Sequence, residues 1–255
     1  MTPQSRRNAI VAMVTSQGEC SIDALAKHFD VSLQTVRSDV RGLTAQGLLL
    51  RQHGLVAPFA RENIGYQQRE IVNVEGKHAI GALGAALVHE HPSCSLGTGT
   101  TVEMVARALP SSSKTMFFTN NLHAAEHISQ LPDCELTVAG GRVRKRDLDV
   151  IGGDALAFFS RYRVSIGLVS VGGIDESGTL YDFNDEEVMA HQSLLATAAI
   201  HVLVVDSTKF GRTALCQNGH ITDFDYVISD RAPSAEQVTA ISMSKTQWLN
   251  PPLDI

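Results

Sequence analysis

Apolar residues recur with a helical period through the first part of the chain. Beyond it they fall into short runs alternating with helical stretches. Ile10, Met13 and Val14 form a stripe that predicts a helix over about residues 4–17, stopped by Gly18. Ser21 stands where a second helix needs its cap, and Leu25, Ala26 and Phe29 supply that helix with a buried side. Ser32 caps a third, in which Val36, Val40 and Leu43 recur at i, i+4 and i+7. After Gly47, residues 48–51 read as a strand, Gly54 as a turn, and Leu55-Val56 as a returning strand. Helix, helix, turn, helix and a short wing is an order suited to laying one helix in the DNA major groove.

The period that buries Val36 and Val40 turns Gln34, Thr35, Arg37, Ser38 and Arg41 outward or to the edges of the third helix. Arginine grips phosphate or bridges guanine, glutamine reads adenine, and hydroxyls meet backbone or bases. Together with Ser32 at the helix start and Arg51 and His53 on the wing, these are the candidate DNA contacts. Asp39 would repel phosphate and is expected to pair with a nearby arginine. The plainer alternative is a three-helix unit used only for packing or protein contact.

From about Gly76 helices alternate with short β-rich runs. Helices are expected over 79–88, 101–109, 122–130, 154–159 and 186–198. Strands are expected over 94–96, 115–119, 135–139, 166–171, 201–206 and 226–229. This alternation predicts an open α/β domain with a mainly parallel sheet. Residues 58–75 lack a core period and read as a connector with some helix and no ligand signal. The expected division is therefore 1–57, a winged helix-turn-helix; 58–75, a linker; and 76–255, a larger α/β domain.

In an open α/β sheet, ligands sit beyond the carboxyl ends of the strands. Gly97-Thr98-Gly99-Thr100-Thr101 follows one strand and opens a helix, where free amides and hydroxyls can cradle phosphate. It has neither the lysine and spacing of a Walker loop nor the dinucleotide-binding glycine pattern, and a plain tight turn is the alternative. Asn120 and Asn121 follow a second strand and either meet ligand hydroxyls or cap the next helix. Gly140 and Gly141 end a third. Asp206-Ser207-Thr208-Lys209 ends the most hydrophobic strand. There Lys209 is either a counter-charge for an anion or, taken alone, a surface lysine. Together these strand ends favour a small, hydroxylated, phosphorylated metabolite.

Charge and cysteine usage refine this picture. Residues 1–57 hold six Lys/Arg against four Asp/Glu, and the remainder fifteen against twenty-three, so a head of +2 precedes a body of −8. That asymmetry suits a small nucleic-acid module on a larger partner domain. Cys20, Cys94, Cys134 and Cys216 lie far apart without metal-ligand spacing, so reduced thiols and a cytosolic setting are expected. The N-terminal residues lead into an amphipathic helix, and no apolar run has membrane-spanning length. His89 and His91 bracket Glu90, and His123 and His127 are four apart. Neither pair has a third ligand at useful spacing, so no metal and no cofactor are expected.

The segment from Ser21 to Leu43, SIDALAKHFDVSLQTVRSDVRGL, closely resembles the N-terminal signature of the DeoR family of bacterial transcriptional regulators. The family wing commonly reads His-Gly-Gly-Ala, where this chain has His53-Gly54-Leu55-Val56. The body resembles the family's effector-sensing domain, which is similar to ribose-5-phosphate isomerase. The family's Asp-x-Gly-Thr/Ser-Thr loop falls on Gly97-Thr98-Gly99-Thr100-Thr101, without the leading acid. Gly172-Gly173-Ile174-Asp175 and the Lys209 region also match, which adds Asp175 to the effector-binding candidates. The resemblance implies a homo-oligomeric repressor of carbohydrate or nucleoside genes, bound to double-stranded operator DNA and released by a phosphorylated sugar. The alternative is a sugar-phosphate isomerase-like enzyme carrying a DNA-binding module. Such isomerisation needs a base at the carbon-bound proton, and related isomerases place an Asp-Gly-Ala-Asp run where this chain reads Val169-Ser170-Val171-Gly172. The nearby Asp175 and Asp185-Glu186-Glu187 either bind hydroxyls, cap a helix or face water.

Overall fold

A computed structural model of the chain describes residues 3–17, 19–45, 49–52, 55–58 and 65–251. The first helix, α1 (Pro3–Gln17), buries Ile10 and Val14 completely. A two-residue strand, β1 (Cys20–Ser21), then leads into α2 (Ile22–Phe29), which is capped by Ser21 Oγ accepting from Ala24 N at 3.0 Å. The next helix, α3 (Leu33–Ala45), is capped by Ser32 Oγ accepting from Thr35 N at 3.1 Å. Val36, Val40 and Leu43 bury against Ile10, Val14 and Leu25, as the 3.6-residue period requires. The wing strands β2 (Leu49–Gln52) and β3 (Leu55–Pro58) pair antiparallel, and β1 adds to β3 as a third strand that the periodicity did not announce. Gly18, Gly47, Leu48, His53 and Gly54, which carry the expected helix stop and wing turn, lie outside the described residues.

Asp39 is buried on α3 and holds two arginines of α1, Arg6 at 2.6 Å and Arg7 at 2.9 Å. The acid expected to find an arginine thus finds two, and it ties α1 to the back of α3.

The body begins with α4 (Tyr66–Glu70) and α5 (Val74–His89). There follow β4 (Ser93–Leu96), α6 (Thr100–Arg107), β5 (Met116–Thr119), α7 (Leu122–Ile128) and β6 (Glu135–Val138). A hairpin of β7 (Val143–Arg144) and β8 (Asp149–Val150) precedes α8 (Gly153–Phe159) and β9 (Val164–Val169). The chain continues through β10 (Gly173–Ile174), β11 (Thr179–Asp182), α9 (Asp185–Thr197) and β12 (Ala198–Val204). It ends with β13 (Cys216–His220), β14 (Tyr226–Ile228), α10 (Ala235–Ser242) and β15 (Gln247–Leu249).

Seven strands form one sheet in the order β15-β14-β12-β9-β4-β5-β6, every neighbouring pair parallel. Both faces are covered, so the central strands β9 and β12 are largely apolar, whereas β4 (Ser93-Cys94-Ser95-Leu96) buries two serines between its apolar positions. Ile166, Leu168, Val202, Val204 and Ile228 point to one face and pack with Ile80, Val102, Val105 and Ile128 from α5, α6 and α7. Val169, Leu203, Val205 and Val227 point to the other and meet Phe158, Phe159, Leu194 and Phe224. β10, β11 and β13 form a small antiparallel sheet beside it.

Two expectations about element limits change. α5 starts five residues before the expected position, because Asn73 takes a left-handed conformation (φ 50°) and turns the chain directly into the helix. The strands after α8 and α9 begin and end earlier than the apolar runs suggest, since Val171 and Val205 are buried by loops that continue the same cores. The four cysteines stand outside any disulfide, Cys20 and Cys94 buried and the others half-buried. No helix among the described residues is long and apolar enough to cross a membrane.

The α5–α6 contact is closer than side chains allow. A Cβ on Gly81 would stand 2.6 Å from the Met104 carbonyl oxygen. Gly81→Ala should gain about 1 kcal/mol of helix propensity but pay about 1–3 kcal/mol in overpacking. A net loss of stability is expected, read as a lower urea midpoint with an unchanged slope.

Candidate functional site

The strand order places the cleft. β4 is followed by β5 and β6 on one side, whereas β9, β12 and β14 lie on the other, so successive connections leave β4 and β9 in opposite directions. A crevice opens outside the carboxyl ends at such a reversal. Here it is a cleft of about 420 Å³, including the solvent at its mouth. Thr98, Gly99, Thr100 and Thr101 line it from the loop after β4, and Ser170, Val171 and Gly172 from the loop after β9.

Gly99 has φ 108°, a conformation that favours glycine, and it delivers the chain into α6. The first-turn amides of a helix have no intrahelical acceptors and attract anions. Thr100 and Thr101 are both buried there. Asn121 braces the loop from behind: its Nδ2 donates to the carbonyls of Gly97 (3.4 Å) and Gly99 (3.3 Å), while its Oδ1 accepts from His123 N and Ala124 N to cap α7. Asn120 Nδ2 donates to the Val150 carbonyl at 2.7 Å and fixes the β7–β8 hairpin. Gly97, Asn120 and Asn121 therefore stand behind the cleft wall. Gly140 and Gly141 lie after β6, Gly141 against Asp154, away from the lining. Asp175 is likewise remote: its carboxylate accepts from Ser177, Gly178, Thr179 and the Tyr181 hydroxyl, and these bonds pull its pKa below the usual range despite burial.

Lys209 lines the cleft and is only 7% exposed, so it is not the surface lysine that its isolated position in the sequence allowed. Burial lowers its pKa to about 7; Arg212, Arg69 and Lys77 push the same way, and Asp206 opposes them. Two further cations stand in the wall. Arg69 comes from α4, in the segment that read as a connector without ligand signal. Arg144, from the β7–β8 hairpin, bonds Asp149 through two nitrogens at 2.9 and 2.7 Å and Glu187 at 2.5 Å. Its pKa rises against the effect of burial because of those acids. Burial and the Asp182 charge raise the Glu187 pKa, and Arg144 opposes them.

His191 closes the far side. Nε2 faces Thr98 Oγ1 at 3.4 Å, and Nδ1 lies 3.3 Å from Asp182, which also accepts from Gly172 N at 2.8 Å. Burial disfavours its charge, but Asp182, Glu187 and Asp149 outweigh that and raise its pKa. Arg69, Arg144, Asp149, Asp182 and His191 escaped sequence reasoning. They come from four separate stretches of chain, and only the fold unites them. Glu187 was the legible one, as a member of the 185–187 acidic run: Asn184 caps α9, and Glu187 turns inward.

On the N-terminal unit, Gln34, Arg37, Ser38 and Arg41 are exposed along one side of α3, as is Arg51 on β2. Thr35 is half-buried, its hydroxyl 2.9 Å from that of Ser32, so this pair is engaged at the helix cap. With Asp39 turned back onto Arg6 and Arg7, no acid interrupts the exposed face between Gln34 and Arg41.

These two parts have counterparts in known proteins. Residues 6–58 match the DeoR-like helix-turn-helix domain and residues 72–231 the DeoR C terminal sensor domain. Over 234 residues the chain is 36% identical to the glycerol-3-phosphate regulon repressor of Escherichia coli (strain K12), covering 91% of this chain and 93% of that one. It is 31% identical over 255 residues to the HTH-type transcriptional repressor CsqR of the same organism, covering 100% and 98%. It is 26% identical over 241 residues to that organism's L-fucose operon activator, covering 92% and 99%. Among solved structures, ribose 5-phosphate isomerase A from Methanocaldococcus jannaschii matches with TM-score 0.39 and 16% identity over 52% of this chain and 53% of that one. So distant a likeness carries no argument.

The depressed Lys209 pKa makes anion binding pH-dependent. A bound phosphate dianion favours the ammonium form, so above pH 7 binding takes up a proton. Affinity for a phosphate monoester should fall about tenfold per pH unit between about pH 7.5 and about 9. Calorimetry in buffers of different ionisation heat measures the proton uptake, and Lys209→Met should flatten the profile.

Proposed function

We propose that this chain, which belongs to the DeoR family of transcriptional regulators, is a repressor whose operator binding is released by a small phosphorylated sugar or polyol. In this reading residues 1–57 are the DNA-binding head, 58–75 the connector and 76–255 the sensor. The observation that carries it is the cleft at the strand-order reversal. There the start of α6 faces Lys209, Arg69 and Arg144 at one site, while Asp182, Glu187 and His191 supply acceptors and donors for hydroxyl groups. The names of the full-length relatives, one tied to glycerol 3-phosphate and another to L-fucose, agree with a carbohydrate effector. Gln34, Arg37, Ser38 and Arg41 would enter the major groove, with Arg51 and His53 near the backbone. A homo-oligomer would set two heads on repeated half-sites.

Turnover is the second reading, favoured by the buried His191–Asp182 pair, which resembles an acid–base couple. The two relatives that match over 91% and 100% of the chain are named as repressors, and regulation is preferred. A sugar-phosphate panel incubated with the protein separates the two: release of operator with unchanged ligand supports sensing, and conversion of aldose to ketose overturns it.

Replacing Arg37 and Arg41 with alanine should cost about 1–3 kcal/mol each, a combined loss of roughly thirtyfold or more in operator affinity. The circular dichroism spectrum should stay unchanged, because both side chains are exposed. Fluorescence anisotropy on an operator duplex reads the loss, and unaltered affinity would remove α3 from the interface.

A further inference from the structure

Arg69 has a feature that neither the fold nor its ion pair explains. Its side chain is 11% exposed, its Nη2 donates to Asp147 at 2.5 Å, and its guanidinium lies 5.4 Å over the Tyr66 ring. Yet its Nε is buried with no hydrogen-bond acceptor. Leaving a buried donor of a charged group unsatisfied costs more than a typical made hydrogen bond contributes. This one belongs to a residue of the cleft wall, which Thr100 and Lys209 also line. An arginine fork that has spent one nitrogen on a carboxylate still presents its other donors to an anionic oxygen.

The segment carrying Arg69 is also the first described element after the wing. Along the sequence, residues 59–64 alone separate Pro58 from Gly65. α4 is bolted to α6 by Tyr66 donating to Glu103 and by Glu70 pairing with Arg107 at 2.7 Å, and Tyr66 stacks on His123. Lys77 holds its carboxyl end, Nζ donating to the carbonyls of Arg69 and Val72. So one short helix lines the cleft and lies, along the sequence, a few residues after the head.

We propose that Arg69 is an anion ligand of the cleft and the residue through which a bound phosphate acts on the DNA-binding head. This rests on the cleft being the effector site. Bound phosphate would compete with Asp147 for the guanidinium and favour one setting of α4. A ligand shifts an equilibrium only through such a difference between states. The mutual repulsion of Arg69, Lys77 and Lys209 is consistent with a place kept for an anion.

The test uses the full chain, inorganic phosphate as binding probe, and an operator duplex selected by the wild-type protein from random sequence. A panel of glycerol 3-phosphate, fructose 6-phosphate and ribose 5-phosphate serves for release. Arg69→Gln should weaken phosphate binding at least tenfold. At saturation with the releasing compound its operator affinity should stay within threefold of the ligand-free value. Lys209→Gln should also weaken phosphate, yet release fully at saturation. Asp147→Asn, which frees Arg69 from its ion pair and removes a longer 3.3 Å pairing of Arg144 with the same carboxylate, should tighten phosphate threefold or more, whereas a merely structural Arg69–Asp147 pair would make both substitutions weaken it. Arg69→Lys keeps the charge and is the substitute if the glutamine variant does not fold; partial release is expected from it. Full release by either Arg69 variant at saturation, or weakened phosphate in Asp147→Asn, overturns the proposal. If no panel member releases the wild type and phosphate does not bind, the cleft reading itself falls, and the role of Arg69 with it.

Discussion

The reversal of strand order between β4 and β9 is the constraint on which the rest of the body depends. Parallel strands need crossovers, and crossovers leaving neighbouring strands in opposite directions cannot cover the gap between them. The gap therefore collects whatever follows the strands: the loop after β4, the loop after β9, and Lys209 after β12. Helix α6 starts there because its strand ends there, and its amides are left facing the opening without any special device.

Three cations at one opening would repel one another, and the surrounding acids make the arrangement tolerable. Arg144 is neutralised by Asp149 and Glu187, and Arg69 by Asp147. Lys209 has Asp206 as its acidic neighbour, together with three repelling cations, and it is the one whose charge is weakest near neutrality. Among these three cations, two charges are thus fixed and one is adjustable. Buried ion networks of this kind contribute little net stability, which makes their place at an opening more telling than their number.

Much of the fold was legible because it follows two simple periods. Val36, Val40 and Leu43 reveal α3, and the continuous run through Val204 reveals a strand buried on both faces. The exposed side of α3 follows from the same count, as does the glycine-threonine loop from its place after a strand. The remainder depended on long-range contacts. β7, β8 and β10 are two residues long and carry no period, and β13 is the polar run Cys216-Gln-Asn-Gly-His. Arg69 sits in five helical residues between connectors, while Asp182 and His191 become neighbours only when β11 and α9 fold together. Lys209 was visible as a residue but not as a buried one, because nothing beside it in the chain says what covers it.

Asp39 leaves a consequence for how firmly one head holds a duplex. Arg6 and Arg7 share that carboxylate, so part of the modest positive charge of the head is spent internally. Arg37, Arg41 and Arg51 remain as exposed guanidiniums on α3 and β2. Three phosphate contacts displace about three counterions, giving a salt slope near −3. That is a shallow electrolyte dependence for a protein that must find one site in a genome. On the proposed reading, selectivity would then come from base contacts rather than from the attraction of one cationic surface for any phosphate backbone.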